Sequence, residues 1–68
     1  MLKYDRALLK KTREDAGFTQ TELAVRVGVK SSSVKDWEVG KCMPNAERLG
    51  LLASVLKVPL DTFYRKTL

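Results

Sequence analysis

The stretch from Phe18 to Trp37 constrains the fold of this chain more tightly than any other. Thr19 followed by Glu22 forms a capping box: the threonine hydroxyl accepts from the Glu22 amide while the glutamate carboxylate reaches back to the Thr19 amide. Phe18 before the cap and Leu23 after it form a hydrophobic staple, so two independent signals start a helix at Gln20. That helix is expected to end at Val27, because Gly28 supplies a left-handed residue at no steric cost. A further short helix should follow from about Ser31 to Val39, stopped by Gly40. Ala24 is small where the two helices must approach, and Leu23, Val27, Val29, Val34 and Trp37 can pin both to one core. Two short helices joined by a glycine-containing turn make a helix-turn-helix corner.

The flanking sequence supplies the rest of an all-α domain. A first helix is expected from about Asp5 to Ala16, with Leu8, Leu9, Thr12 and Ala16 along one stripe and Gly17 at its end. Pro44 biases Met43 away from helical angles, so residues 41–44 read as a loop. Asn45 then caps a fourth helix through about Leu56, where Leu49, Leu52, Ala53 and Leu56 keep helical spacing. Pro59 opens a short fifth helix from Leu60 to about Tyr64. No window alternates apolar and polar residues long enough to signal a strand. A chain of 68 residues has room for one core, so residues 1–68 are read as a single domain with its core at about 5–64.

Composition narrows the chemistry. One cysteine, Cys42, and no histidine leave no internal disulfide and no Cys/His zinc site. Cys42 reads as a loop thiol or a gap filler. Without a nucleophile–base pair or a phosphate-loop motif, the chain is expected to be no enzyme and to carry no cofactor or metal. No apolar run approaches the ~20 residues of a membrane span, and the N-terminus lacks a signal pattern; a cytoplasmic protein, nucleoid-associated when bound to DNA, is expected. The net charge is +5, with a pI near 9.7, which favours a polyanionic partner.

With Val34 and Trp37 turned inward, Ser32, Lys35, Asp36 and Val39 fall on the outer face of the third helix, and Ser31 is reachable at its first turn. This small polar face, framed by Lys30 and Lys41, fits a DNA major groove. The spacing of Trp37 from Val34 makes it core rather than a base-stacking platform. Gln20 and the free amides at the start of the second helix would face a phosphate. The basic residues Lys3, Arg6, Lys10 and Lys11 read as a solvated face.

The run Phe18-Thr19-Gln20-Thr21-Glu22-Leu23-Ala24, then Gly28-Val29, Val34, Trp37-Glu38 and Gly40-Lys41, closely resembles the lambda/434 repressor and Cro class, the XRE family. Pro44-Asn45, Leu49, Leu52-Ala53, Leu56 and Val58-Pro59-Leu60-Asp61 continue it, over about residues 5 to 64. The resemblance implies a compact five-helix lambda-repressor-like domain of a prokaryotic or phage transcription regulator, such as a repressor. It would bind double-stranded DNA, on a palindromic operator, as a homodimer. It implies base-reading positions at Ser31, Ser32 and Asp36, with Lys35 adjacent. Phosphate contacts would come from Thr19, Gln20, Lys30, Ser33, Lys41 and Asn45, and a structural pair from Arg13 and Glu38. Three departures stand out. Lys30 occupies a place where the family prefers a Ser or Thr cap, which leaves Ser31 either to cap the helix or to read bases. Asp36 either accepts from a cytosine amino group or rejects wrong sequences. Pro59 replaces a common Ser cap. Phe63, Tyr64 and Leu68 fit either the core or a dimer patch. The competing class is an antitoxin or adaptor that uses the same fold to grip a partner protein.

Overall fold

The computed structural model describes residues 1–67; Leu68, one of the three dimer-patch candidates, lies outside the described residues. The chain begins with β1 (Leu2–Tyr4), followed by helices α1 (Arg6–Asp15), α2 (Gln20–Val27), α3 (Ser31–Val39) and α4 (Ala46–Leu56). A single 3-10 turn (Leu60–Phe63) then leads into β2 (Tyr64–Lys66).

Each helix starts and stops where local chemistry requires. Asp5 caps α1 by accepting from the Ala7 amide at 2.9 Å. The Thr19 capping box is complete: its hydroxyl accepts from the Glu22 amide at 3.0 Å and its amide donates to the Glu22 carboxylate at 2.8 Å. Asn45 caps α4 through the Arg48 amide at 2.8 Å. Gly28, at φ 76°, and Gly40, at φ 84°, end α2 and α3 in the left-handed conformation. At each, a side chain would carry a conformational penalty of about 1–2 kcal/mol.

The helices close over one core. Leu9, Leu23, Ala24, Val27, Val34, Trp37, Leu49, Leu52, Ala53, Leu56 and Phe63 are all buried in it. Trp37 is therefore core. Ala24 is buried on α2, the helix that packs against both α3 and α4. Phe18 packs half-buried against this core, with the Arg26 guanidinium 5.3 Å from its ring centroid. Pro44, read from sequence only as loop punctuation, is itself fully buried.

Four expectations need correction. The domain has four α-helices and a β-hairpin, not five helices: after Pro59 only one 3-10 turn forms, and Tyr64 is already extended at φ −115°, ψ 140°. The two strands pair antiparallel, with Leu2 opposite Lys66 and Tyr4 opposite Tyr64. Three residues are too few for a readable alternation, and a partner at the other end of the chain leaves no local signal. Tertiary contacts make these strands instead. The Tyr4 and Tyr64 rings meet edge-on at 6.2 Å, and the Asp5 amide donates to the Phe63 carbonyl at 2.9 Å. Phe63 is completely buried, so it cannot contribute to a dimer patch; Tyr64 is half-buried against Tyr4. The inward stripe of α1 runs through Leu9 and Arg13, whereas Ala16 is exposed. Cys42 is free and exposed, which removes the gap-filling role.

Candidate nucleic-acid interface

Helix α3 presents two unlike faces. Val34, Trp37 and Glu38 are buried, whereas Ser31, Ser32, Lys35 and Val39 are exposed, with Ser33 and Asp36 half-buried at the boundary. This division follows from the 100° step of the helix: residues three and four apart share a side. Exposed Lys30 stands immediately before the helix and exposed Lys41 just past its Gly40 cap. Lys30 is the N-cap without a side-chain hydrogen bond, and Ser31 is already inside the helix. The Ser31 hydroxyl is therefore not spent on a cap. At the other end, the Asp36 carbonyl accepts from the Gly40 and Lys41 amides at 3.1 and 2.9 Å, which closes the helix in a left-handed turn at Gly40.

Beneath that face lies a buried ionic cluster that fixes the corner. The Arg13 Nε and Nη2 groups of α1 donate to the two Glu38 carboxylate oxygens at 2.7 and 3.1 Å. Its Nη1 donates to the Phe18 carbonyl at 2.7 Å. The Glu38 hydrogen bond holds the Arg13 guanidinium firmly in its charged form, outweighing the cost of burial. Gln20 Nε2 completes the set by donating to Glu38 Oε1 at 3.1 Å. One carboxylate thus ties the end of α3 to α1 and to the start of α2.

The residues expected at phosphates fall into three situations. Thr19 and Asn45 are caps whose side-chain oxygens already accept from backbone amides, leaving the Thr19 hydroxyl hydrogen and the Asn45 amino group available. Gln20 is half-buried and commits one amide hydrogen to Glu38, a link that its spacing from Glu38 did not reveal. Lys30 and Lys41 are exposed, and neither forms an ion pair among the described residues. Ser33 is half-buried, with its amide donating to the Lys30 carbonyl at 2.9 Å. The Gln20–Glu38 bond brings Thr19 and Gln20 to the Lys41 end of α3. Asn45 opens α4 beyond the buried Pro44, and no hydrogen bond among the described residues joins it to Thr19 or Gln20.

This arrangement has known counterparts. Residues 9–63 match the helix-turn-helix family. The P22 c2 repressor, solved with a synthetic operator, is 26% identical and superposes with a TM-score of 0.80 over 85% of this chain and 88% of its own. CoII HppE, solved in complex with substrate, is 28% identical, with a TM-score of 0.81 over 88% of this chain but only 34% of its own. Multiprotein-bridging factor 1 of Eremothecium gossypii is 38% identical over 50 residues, 74% of this chain. The chain spans about a third of the length of that relative, 33% of it. With the family model matched over residues 9–63 and the fold shared with the P22 c2 repressor DNA-binding domain, the chain belongs to the XRE-type helix-turn-helix family.

Proposed function

We propose that the protein is a sequence-specific double-stranded DNA-binding transcription regulator that inserts α3 into the major groove. The observation that carries this reading is the exposed face of α3: Ser31, Ser32 and Lys35 point outward on a helix whose opposite face is locked into the core by Val34 and Trp37. Ser32 and Lys35 are the principal base readers in this reading, with Ser31 at the first turn and Asp36 excluding or selecting bases at the boundary. Lys30, Lys41 and the start of α2 supply the phosphate contacts, helped by Ser33 and Asn45. One α3 covers only one half-site, so the protein acts as a dimer on a palindromic operator. It works without catalysis, in the cytoplasm and on the nucleoid.

Selection of bound duplexes from a random library tests this reading. Enrichment of a motif is expected, and Ser32→Ala or Lys35→Ala should relax the preference at one position of each half-site. Failure to enrich any sequence would refute the proposal.

A second reading, in which the fold also grips a partner protein, is favoured by the name of the bridging-factor relative. A surface for it exists: exposed Leu2 and Leu60 line an apolar groove with Asp61 and Tyr64, away from α3 in the sequence and at the hairpin side of the fold.

A further inference from the structure

A second, larger groove of about 610 Å³ lies between the hairpin, the start of α1 and the loop that follows α3. Its lining includes Arg6, Arg65, Gly40, Cys42 and Met43. Arg6 lies against Gly40, so closely that a Cβ on Gly40 would meet its guanidinium. Arg6 forms no ion pair among the described residues. The carboxylate in the groove, Asp5, is 3.7 Å from Arg65 Nε and already accepts from the Ala7 amide. Two guanidinium groups thus line the groove with one carboxylate, which pairs with Arg65, and the groove carries net positive charge. Lys3 sits directly opposite Arg65 across the hairpin, a like-charge pair that disfavours strand pairing and that Asp5 offsets on the Arg65 side. None of these basic residues serves the core or the Arg13–Glu38 cluster.

The position of the groove says which anion suits it. Exposed Lys41, two residues past the helix assigned to the major groove, is flanked in sequence by Gly40 and Cys42, which both line the groove. A strand backbone held at Lys41 would have Arg6, which lies against the neighbouring Gly40, as a nearby basic group. We infer that this groove holds a backbone phosphate of the duplex beyond the recognition helix, gripped by Arg6 and Arg65 with Lys3 at its rim. Guanidinium pairs suit this task because their paired N–H donors match phosphate oxygens. The contact carries no base information; it lengthens the footprint and sets the tilt of α3 in the groove. This inference rests on the duplex-binding reading above, but not on its sequence specificity.

The test is a salt titration of binding, by fluorescence anisotropy, for the wild-type chain, Arg65→Ala and the Arg6→Ala/Arg65→Ala double variant. Each is measured on an enriched duplex and on a random one. Arg65 is exposed, so its single variant keeps the test valid should the double variant unfold. Loss of one phosphate contact should make the log–log slope shallower by about 0.9. The wild-type advantage then widens about eightfold for each tenfold fall in salt, on both duplexes, with the base preferences unchanged. If the random duplex shows this change while no sequence is enriched, the groove stands and the sequence-reading function falls. Identical slopes for wild type and variants would overturn the groove even if a motif is enriched. Perturbation of groove resonances by inorganic phosphate, with duplex slopes unchanged, would mark a small-anion site and overturn the duplex assignment. Absence of any duplex binding would overturn both.

Discussion

Replacing one member of the Arg13–Glu38 pair should cost far more than a surface salt bridge would. The Glu38 side chain is 2% exposed and the Arg13 side chain 9%, and their closest contact is 2.7 Å. Arg13→Met leaves the Glu38 carboxylate in the interior with the Gln20 amide as its one remaining side-chain donor. Stranding a buried charge in this way costs about 3–5 kcal/mol. A chain of 68 residues has a total stability of roughly 3–10 kcal/mol, so this variant should be largely unfolded at the warm end of the physiological range. Glu38→Leu should cost somewhat less, because Arg13 keeps the Phe18 carbonyl and can turn toward Glu14 at 3.9 Å. The double variant Arg13→Met/Glu38→Leu removes both charges and should recover most of the loss. Urea denaturation of all four proteins closes the cycle, with melting temperatures expected to move about 4–8 °C per kcal/mol in a domain of this size. Single losses below about 1 kcal/mol, or losses that simply add, would mean that solvent screens the pair and would refute the reasoning.

Two further outcomes follow from local structure. Tyr4→Phe should raise stability by about 1 kcal/mol, because the Tyr4 hydroxyl is buried without a hydrogen-bond partner among the described residues. Burial, with smaller contributions from Glu38 and Asp5, pushes the Tyr4 hydroxyl from 10.0 up to about 12. The unfolded chain therefore loses this proton first, so wild-type stability should fall as pH rises through that interval while Tyr4→Phe lacks this component; parallel pH–melting curves for the two proteins would refute it. Thr19→Ala should cost about 1 kcal/mol by removing the α2 cap. The Thr19 backbone and side chain hold the Glu22 carboxyl below its ordinary 4.5, so that stabilisation is present above this value and is lost as pH falls through the depressed one. Melting curves that keep the same acid limb in Glu22→Gln would contradict it.

Local chemistry made the helix boundaries legible. The capping box at Thr19, the cap at Asn45, and the glycines at 28 and 40 all act within one helical turn of the residue that reveals them. The outward face of α3 was legible for the same reason, since Val34 and Trp37 set the angle of every other side chain on it. What escaped was formed by residues distant in sequence. The hairpin joins residues 2–4 to 64–66 and is held by a tyrosine contact and end-to-end hydrogen bonds, none of which leaves a periodic trace. Phe63 illustrates the ambiguity: on a short terminal helix it could face solvent, but the switch to an extended chain at Tyr64 turns it into the core. Gln20 shows the same limit at the site. Its glutamine amide suits a phosphate equally well, and only the fold reveals that Glu38 claims one of its hydrogens.

The central claim is that α3 enters the major groove with its Ser31–Ser32–Lys35 face toward the bases. Amide chemical-shift mapping, as an enriched duplex is added to the labelled protein, tests it most directly. The largest changes should fall on residues 30–36, on the first amides of α2 at Gln20 and Thr21, and on Lys41, while Val27, Leu52 and Leu56 stay in place. Shifts confined to Leu2, Leu60 and Tyr64, with the amides of α3 unmoved, would contradict the account.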